Sequence, residues 1–308
     1  MKVFIQIPCY NEEDQLEETI KSIRDLNLNN NENQLEWKIL IIDDGSTDNT
    51  KNIAKNLNAD FIISHDSNQG LASAFMKGIE TCLNLGADII INTDGDNQYS
   101  AEFIPKIIEP ILENKADIVI GKRKILSNVN FSTIKKFLQI IGTWFVKILS
   151  ETAIMDAPCG FRSYSRYAAS KLIIFDKYTY TLESLFLANS LGLRIINIPI
   201  TTNKSLRESR LIKNNITYII NSTATIFKSL LLYKPKKVFV SLSVIFIVSS
   251  LVIIFSNSNL ILKNYIYLYF LILLLSFQLI NLSYSWYLIK TNRKLMKKVF
   301  QMKFNRNK

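Results

Sequence analysis

The chain has 308 residues, 48% of them hydrophobic, enough for one large domain or two with a substantial core. Its formal charge of +11 would suit a nucleic-acid binder, but ten of the basic side chains lie between Lys237 and Lys308, where there is no Asp or Glu. The first 236 residues carry 27 basic against 26 acidic groups, so the basicity belongs to the tail and no nucleic-acid partner is expected. Three widely spaced cysteines, Cys9, Cys82 and Cys159, contain no CxxC pair and point to a reducing compartment. The single histidine, His65, leaves little room for His-based triads or His-rich metal sites and reads as an ordinary loop residue after a strand.

In chain order, the N-terminus is too short an apolar run for a signal peptide. VFIQIP (3–8) reads as a strand and precedes NEEDQLEETIKSIRDL, whose Leu16, Ile20 and Ile23 keep helical spacing. KILII (38–42) precedes the helical TKNIAKNL, ADFIIS (59–64) precedes QGLASAFMKGIETCLNLG, and DIIIN (88–92) precedes a helix through FIPKIIEPILEN. ADIVIG (116–121) is a further strand. Strand followed by helix, repeated, predicts an α/β fold: a mainly parallel sheet with helices on both faces and ligands at the carboxyl ends of the strands. Residues 131–149 then carry a broad apolar stripe of helical period, which suits either a core-covering helix or one lying on a lipid interface. The segment DAPCGFRSYSR reads as a loop, TLESLFLANSLG as a helix, RIINIPI as a strand and TTNKSLRESRLIK as a polar basic loop.

Residues 238–255 and 265–287 are uncharged, and each is near the ~20 residues needed to cross a bilayer. Their connector carries one positive charge, whereas YKPKK precedes the first span and a basic tail follows the second. The positive-inside rule puts both ends in the cytoplasm, making an integral membrane protein with its N-terminal domain and tail on the cytoplasmic side. The tail can also grip anionic lipid. The expected organisation is 1–210 catalytic domain, 211–236 juxtamembrane amphipathic segment, 237–289 two transmembrane helices and 290–308 basic tail. Whether the chain forms a homo-oligomer is left open.

Three strand ends carry polar clusters: Pro8-Cys9-Tyr10-Asn11-Glu12, Asp43-Asp44-Gly45-Ser46-Thr47-Asp48 and Asp94-Gly95-Asp96-Asn97-Gln98. Singly, each reads as a helix cap or turn. Together, at one edge of one parallel sheet, they read as a site. Asp94 and Asp96 project to the same side of an extended chain, and two charges about 4 Å apart repel by roughly 4 kcal/mol at an effective dielectric near 20. A hard cation, Mg²⁺ or Mn²⁺, is the simplest compensation, shared with the phosphates of a substrate. The chain has no P-loop and no GxGxxG, and a cation bridging a diphosphate suits a nucleoside-diphosphate leaving group.

In order and spacing, IPCYNEEDQL, IIDDGSTD and NTDGDNQ resemble family-2 glycosyltransferases of the GT-A fold. TDGDNQYSAEFIPKII, DIVIGKR, DAPCGFRSYSR and the C-terminal apolar pair are similar to the dolichyl- or polyprenyl-phosphate sugar synthases of that family. The resemblance implies a nucleoside-diphosphate sugar as donor and a polyprenyl phosphate as acceptor. It implies that Pro8, Tyr10 and Glu12 line the nucleotide pocket, that Asp44 bonds the base and that Asp94 lies near the diphosphate. Asp94, Asp96 and Gln98 would hold the metal. Arg123 would lie near a donor or acceptor phosphate, and Arg207 and Arg210 in a basic loop that closes over the phosphates. Asp96, Arg123 and Asp156 are then the residues expected at the reacting centre. Lys135 and Gln139 stand where some relatives have Arg and Ser on the acceptor side, so acceptor phosphate would meet Lys135 as a point charge. Arg207 stands where many relatives have Gly.

The acceptor divides the readings. A sugar hydroxyl would need a base, for which Asp156 is the choice, and the enzyme would extend a glycolipid or polysaccharide. A lipid phosphate is already anionic and attacks directly, leaving Asp156 to orient groups; a pairing of Asp156 with Arg162 that merely orders the loop is the structural alternative. A non-catalytic membrane scaffold is the reading from another class.

Overall fold

A computed structural model describes residues 1–26, 28, 35–126, 133–203 and 215–235, with scattered positions between 237 and 295. The chain divides into two compact units, Met1–Ser229 and Leu230–Lys308. The first is built on seven strands, β1 (Lys2–Cys9), β2 (Glu36–Asp43), β3 (Phe61–Ser64), β4 (Ile89–Asn92), β5 (Ile118–Arg123), β6 (Arg162–Ser165) and β7 (Ile195–Ile200). Their order across the sheet is β3-β2-β1-β4-β6-β5-β7. Every neighbouring pair is parallel except those made by β6, which runs antiparallel to both β4 and β5.

The strands form where the chain offers unbroken apolar runs. Val3 to Cys9 are all buried, as are Ile89, Ile90 and Ile91, because both faces of a parallel sheet are covered. The covering helices are α1 (Leu16–Arg24), α2 (Thr50–Asn56), α3 (Leu71–Asn84), α4 (Ile104–Leu112), α5 (Thr133–Ser150), α6 (Arg166–Lys171), α7 (Tyr180–Ser190) and α8 (Asn215–Tyr233). Helix α1 buries Leu16, Thr19, Ile20 and Ile23, the spacing of one helical face. A chain of buried amides crosses the core: Gln6 Nε2 donates to Asn92 Oδ1 at 3.0 Å, and Asn92 Nδ2 donates to the Tyr180 hydroxyl at 2.8 Å and to Gly160 O at 3.0 Å. It ties β1, β4, the 156–161 segment and α7 together, next to the strand ends.

The segment expected to be a loop, 156–166, contains β6. Its four residues, RSYS, are too short and too polar to read as a strand, and the sheet takes them in because β4 and β5 each present an edge. Helix α5 covers the stripe expected at 131–149 from Thr133 on, residues 131 and 132 lying outside the described residues, but its burial is inverted. Gln139, Thr143, Val146 and Ser150 face inward, whereas Ile134, Phe137, Ile140, Trp144, Phe145 and Ile148 are exposed.

Within the first unit, the part of α8 up to Ser229 is held at Asp176, which accepts from Thr225 Oγ1 and lies 3.8 Å from Lys228 Nζ. In the second unit the Tyr284 hydroxyl donates to Leu231 O at 2.7 Å. No helix of described residues is long and apolar enough to cross a membrane. The expected spans at 238–255 and 265–287 lie largely outside the described residues, as do Arg207 and Arg210.

Candidate functional site

All three polar clusters come together at the carboxyl edge of β1, β2 and β4, which are neighbours in the sheet. Pro8 is buried in β1, and the chain turns outward at Tyr10, 37% exposed, and at Asn11, whose φ is 55°. Asn11 is bonded to the next strand end in both directions: its N–H donates to Ser46 Oγ at 2.9 Å, and its Oδ1 accepts from Thr47 N at 2.8 Å. Glu12 N donates to Thr50 Oγ1 at 2.8 Å. Polar side chains that read singly as caps therefore lace two strand ends into one wall.

Asp43 and Asp44 are both buried. Asp43 Oδ1 accepts from Ser46 N at 2.9 Å and shapes the turn. Asp44 accepts from Gln69 N at 3.0 Å, Gly70 N at 2.8 Å and His65 Nδ1 at 2.6 Å, fastening the segment before α3 to the end of β2.

At the end of β4 the chain needs glycines for close approach. A Cβ on Gly95 would stand 2.8 Å from Cys9 Sγ, and one on Gly160 would stand 3.0 Å from Asp94 Oδ1. Gly160 thus leaves the Asp94 carboxylate its place. Burial, followed by the charge of Asp96, pushes the Asp94 carboxyl up to about 7; Arg123 opposes this, Glu12 adds to it, and a hydrogen bond with Tyr99 opposes it. Asp96 Oδ1 accepts from Gln98 N at 3.1 Å, and Gln98 O accepts from Asn203 N at 2.9 Å, bringing the segment after β7 beside the DGD turn. Burial, then Glu12, raises the Cys9 thiol well above its usual range, so Cys9 is a packing group there.

Tyr99 was not expected at the site. Its buried hydroxyl accepts from Gly160 N at 3.0 Å and hydrogen-bonds Asp94, joining the DGD turn to the 156–161 segment. The signal was its place three residues beyond Asp96. His65, read as an ordinary loop residue, likewise lies against Asp44; it follows β3 directly, so it sits in the same row of strand ends.

Across the site, Asp156 lies on the guanidinium of Arg123. Arg123 Nε donates to Asp156 Oδ2 at 2.7 Å, Nη2 to Oδ1 at 2.9 Å, and the backbone N–H of Arg123 to Oδ2 at 3.1 Å. Both side chains are buried. The pairing of Asp156 with Arg162 does not form. Arg162 instead donates to Cys159 O, Ala157 O and Ser184 Oγ, because it sits on β6 with its side chain inside its own loop. Helix α5 brings Lys135 toward Arg123: burial first, then the Arg123 charge, lowers the Lys135 ammonium below its usual range. About two turns on, Thr143 Oγ1 accepts from Ala157 N at 3.3 Å. Tyr218 on α8 completes this side, its phenol raised by burial, lowered by bonding to Ser222 and by Arg123, and raised by Asp156.

A groove of 640 Å³ opens on the outer flank of Asp96, lined by Gln15, Glu18, Asp25, Asn97 and Glu102 among others.

Among the described residues no three His, Cys, Asp or Glu side chains converge to hold a metal by themselves. Asp94, Asp96 and the Gln98 amide all offer oxygen ligands, and a carboxyl driven up by burial and then by its neighbour's charge is one that a cation would relieve. The residues fit Mg²⁺ or Mn²⁺ completed by substrate oxygens.

The structure is similar to glucosyl-3-phosphoglycerate synthase from Mycobacterium tuberculosis in complex with Mn²⁺, UDP and glucosyl-3-phosphoglycerate, with a TM-score of 0.57 and 17% identity, covering 75% of this chain and 79% of that one. This establishes a GT-A-like fold. In sequence the chain is 28% identical over 221 residues to the UDP-N-acetylglucosamine--dolichyl-phosphate N-acetylglucosaminyltransferase of Methanococcus voltae, covering 65% of this chain and 85% of the relative. It is also 28% identical over 223 residues to the undecaprenyl-phosphate mannosyltransferase of Micrococcus luteus, covering 68% and 88%. The model of glycosyl transferase family 2 matches residues 4–173, more than half the chain and every strand-end cluster just described; the protein belongs to that family of glycosyltransferases.

Proposed function

We propose that this protein is a membrane-anchored, metal-dependent inverting transferase that moves a hexose-type sugar from a nucleoside-diphosphate sugar to a polyprenyl phosphate on the cytoplasmic face. The observation that carries the choice of acceptor is the Arg123–Asp156 pair. Both Asp156 oxygens take guanidinium donors, which leaves Asp156 poorly placed to remove a proton from a sugar hydroxyl. A phosphate acceptor needs no base. The relatives named for dolichyl-phosphate and undecaprenyl-phosphate transfer support the same choice.

On this reading Pro8, Tyr10 and Glu12 line the nucleotide, Asp44 bonds the base, and Asp94, Asp96 and Gln98 hold a divalent cation. When bound, that cation supplies neutralisation of the leaving diphosphate. Arg123 and Lys135 draw the acceptor phosphate, with Asp156 keeping the Arg123 fork in one orientation. Arg207 and Arg210 close over the diphosphate. Helix α5 suits a lipid-side position: its outward face is Phe137, Trp144, Phe145 and Ile148, and its only charges are Lys135, Lys136 and Lys147. The apolar runs at 238–255 and 265–287 anchor the chain, with the N-terminal domain and tail cytoplasmic.

The test is incubation of purified full-length protein with polyprenyl phosphate, Mn²⁺ and a panel of labelled nucleotide sugars. A labelled lipid that releases sugar in mild acid is expected, since a sugar phosphodiester is acid-labile. A folded preparation that labels no lipid from any donor rules the reading out, and an acid-stable product points to a hydroxyl acceptor.

A further inference from the structure

We propose that His65 is a positioning residue of the nucleotide-base subsite, holding the Asp44 carboxylate in the orientation in which it meets the base. The inference rests on the nucleotide-sugar reading above and adds a residue to it. A carboxylate has about four lone-pair positions. At Asp44 three of them are occupied, by Gln69 N, Gly70 N and His65 Nδ1, so a single acceptor direction remains for a ligand. Two of those donors are backbone groups, which hold the carboxylate wherever the 65–70 segment goes. His65 is the side-chain member of the set. It also bonds the adjoining strand end directly, His65 N donating to Asp43 O at 2.9 Å.

The pair is nearly sealed, with side-chain exposures of 10% for His65 and 4% for Asp44, so water competes little for the bond. Because Asp44 is already the acceptor for two N–H groups, His65 takes the tautomer with its proton on Nδ1. One remaining acceptor direction suits a base that presents a ring N–H, such as uracil or guanine, over cytosine or adenine, whose corresponding ring nitrogen is itself an acceptor.

The experiment is calorimetric titration of the full chain with UDP, GDP, CDP, ADP and pyrophosphate, each with Mn²⁺, for wild type, His65→Phe and His65→Asn, alongside donor KM and kcat. His65→Phe should bind the preferred nucleotide about tenfold more weakly, the size expected for one hydrogen bond to a charged group. Its preference among bases should narrow, pyrophosphate binding should be unchanged, and donor KM should rise with kcat retained. His65→Asn, which keeps an N–H donor near the Nδ1 position, should recover most of the affinity. Unchanged nucleotide binding in His65→Phe overturns the proposal, as does an equal loss for pyrophosphate, which would mean that the whole edge had been disturbed. Wild-type protein that binds no nucleoside diphosphate overturns the underlying reading as well.

Discussion

The two sides of the site solve the burial of charge in opposite ways. At the ends of β1, β2 and β4 the carboxylates outnumber the cations: Asp94 and Asp96 stand together with Glu12, and the Asp94 carboxyl is pushed up to about 7. At the end of β5 the charges are matched, Arg123 against Asp156 with three hydrogen bonds between them. The first side lacks a positive partner that a ligand can bring, and the second is self-sufficient until an anion arrives. On the proposed function the acidic side gains stability from its ligand, while the ion-paired side is already held by its own contacts.

Breaking the matched pair should have the largest effect. Asp156→Ala leaves a buried guanidinium without its partner, and removing one member of a buried pair costs about 3–5 kcal/mol. The melting temperature should fall steeply, whereas the double variant Arg123→Met, Asp156→Leu should recover much of it without activity. If Asp156→Ala melts like wild type, the pair is not a structural unit.

On the unmatched side Asp96→Asn should leave the melting temperature unchanged or raised, since it removes a repulsion. Donor turnover should fall by roughly a hundredfold, the scale for losing one preorganised electrostatic contact to a transition state. A large drop in metal-free stability in this variant would place Asp96 among the structural residues.

The pH dependence should separate the sides further. The unfolded chain gives up the corresponding proton near an ordinary carboxyl value of about 4, and the folded chain keeps it on Asp94 to about 7. The folded state therefore binds more protons in that window. The Asp94 contribution to stability is fully present below about 4 and lost as pH rises through about 7. Metal-free protein should lose thermal stability from pH 5 to 8, and Mn²⁺ with a nucleoside diphosphate should restore most of it at pH 8. A metal-free profile that is the same for wild type and Asp94→Asn would remove Asp94 as its source.

The smallest effect on folding belongs to the outer face of α5. Trp144→Ser and Phe137→Ser replace exposed side chains and should change stability by no more than about 0.5 kcal/mol. They should nevertheless lower binding to anionic vesicles in a folded variant freed of the C-terminal apolar runs. Unaltered vesicle binding would assign the exposed face to something other than lipid.

The strands β1, β2, β4 and β5 were legible as apolar runs that a doubly covered sheet buries, and the edge strands β3 and β7 as half-buried apolar runs. The nearness of Asp94 to Asp96 was legible from their two-residue spacing, although the chain there is a turn beyond the end of β4 and not the extended strand expected. Strand β6 was not, since RSYS has no apolar run and becomes a strand only between two waiting edges. Helix α5 had a visible period, but period alone does not say which environment lies on the apolar side.

By itself, then, the sequence determined the fold class, the row of strand-end carboxylates and the family, because these depend on local pattern and spacing. The tertiary structure decided the partners: Asp156 with Arg123 rather than Arg162, Tyr99 with Asp94 and Gly160, and His65 with Asp44. These contacts join residues far apart in the chain, and their energies depend on burial and on orientation to within a few tenths of an ångström, neither of which a one-dimensional pattern carries.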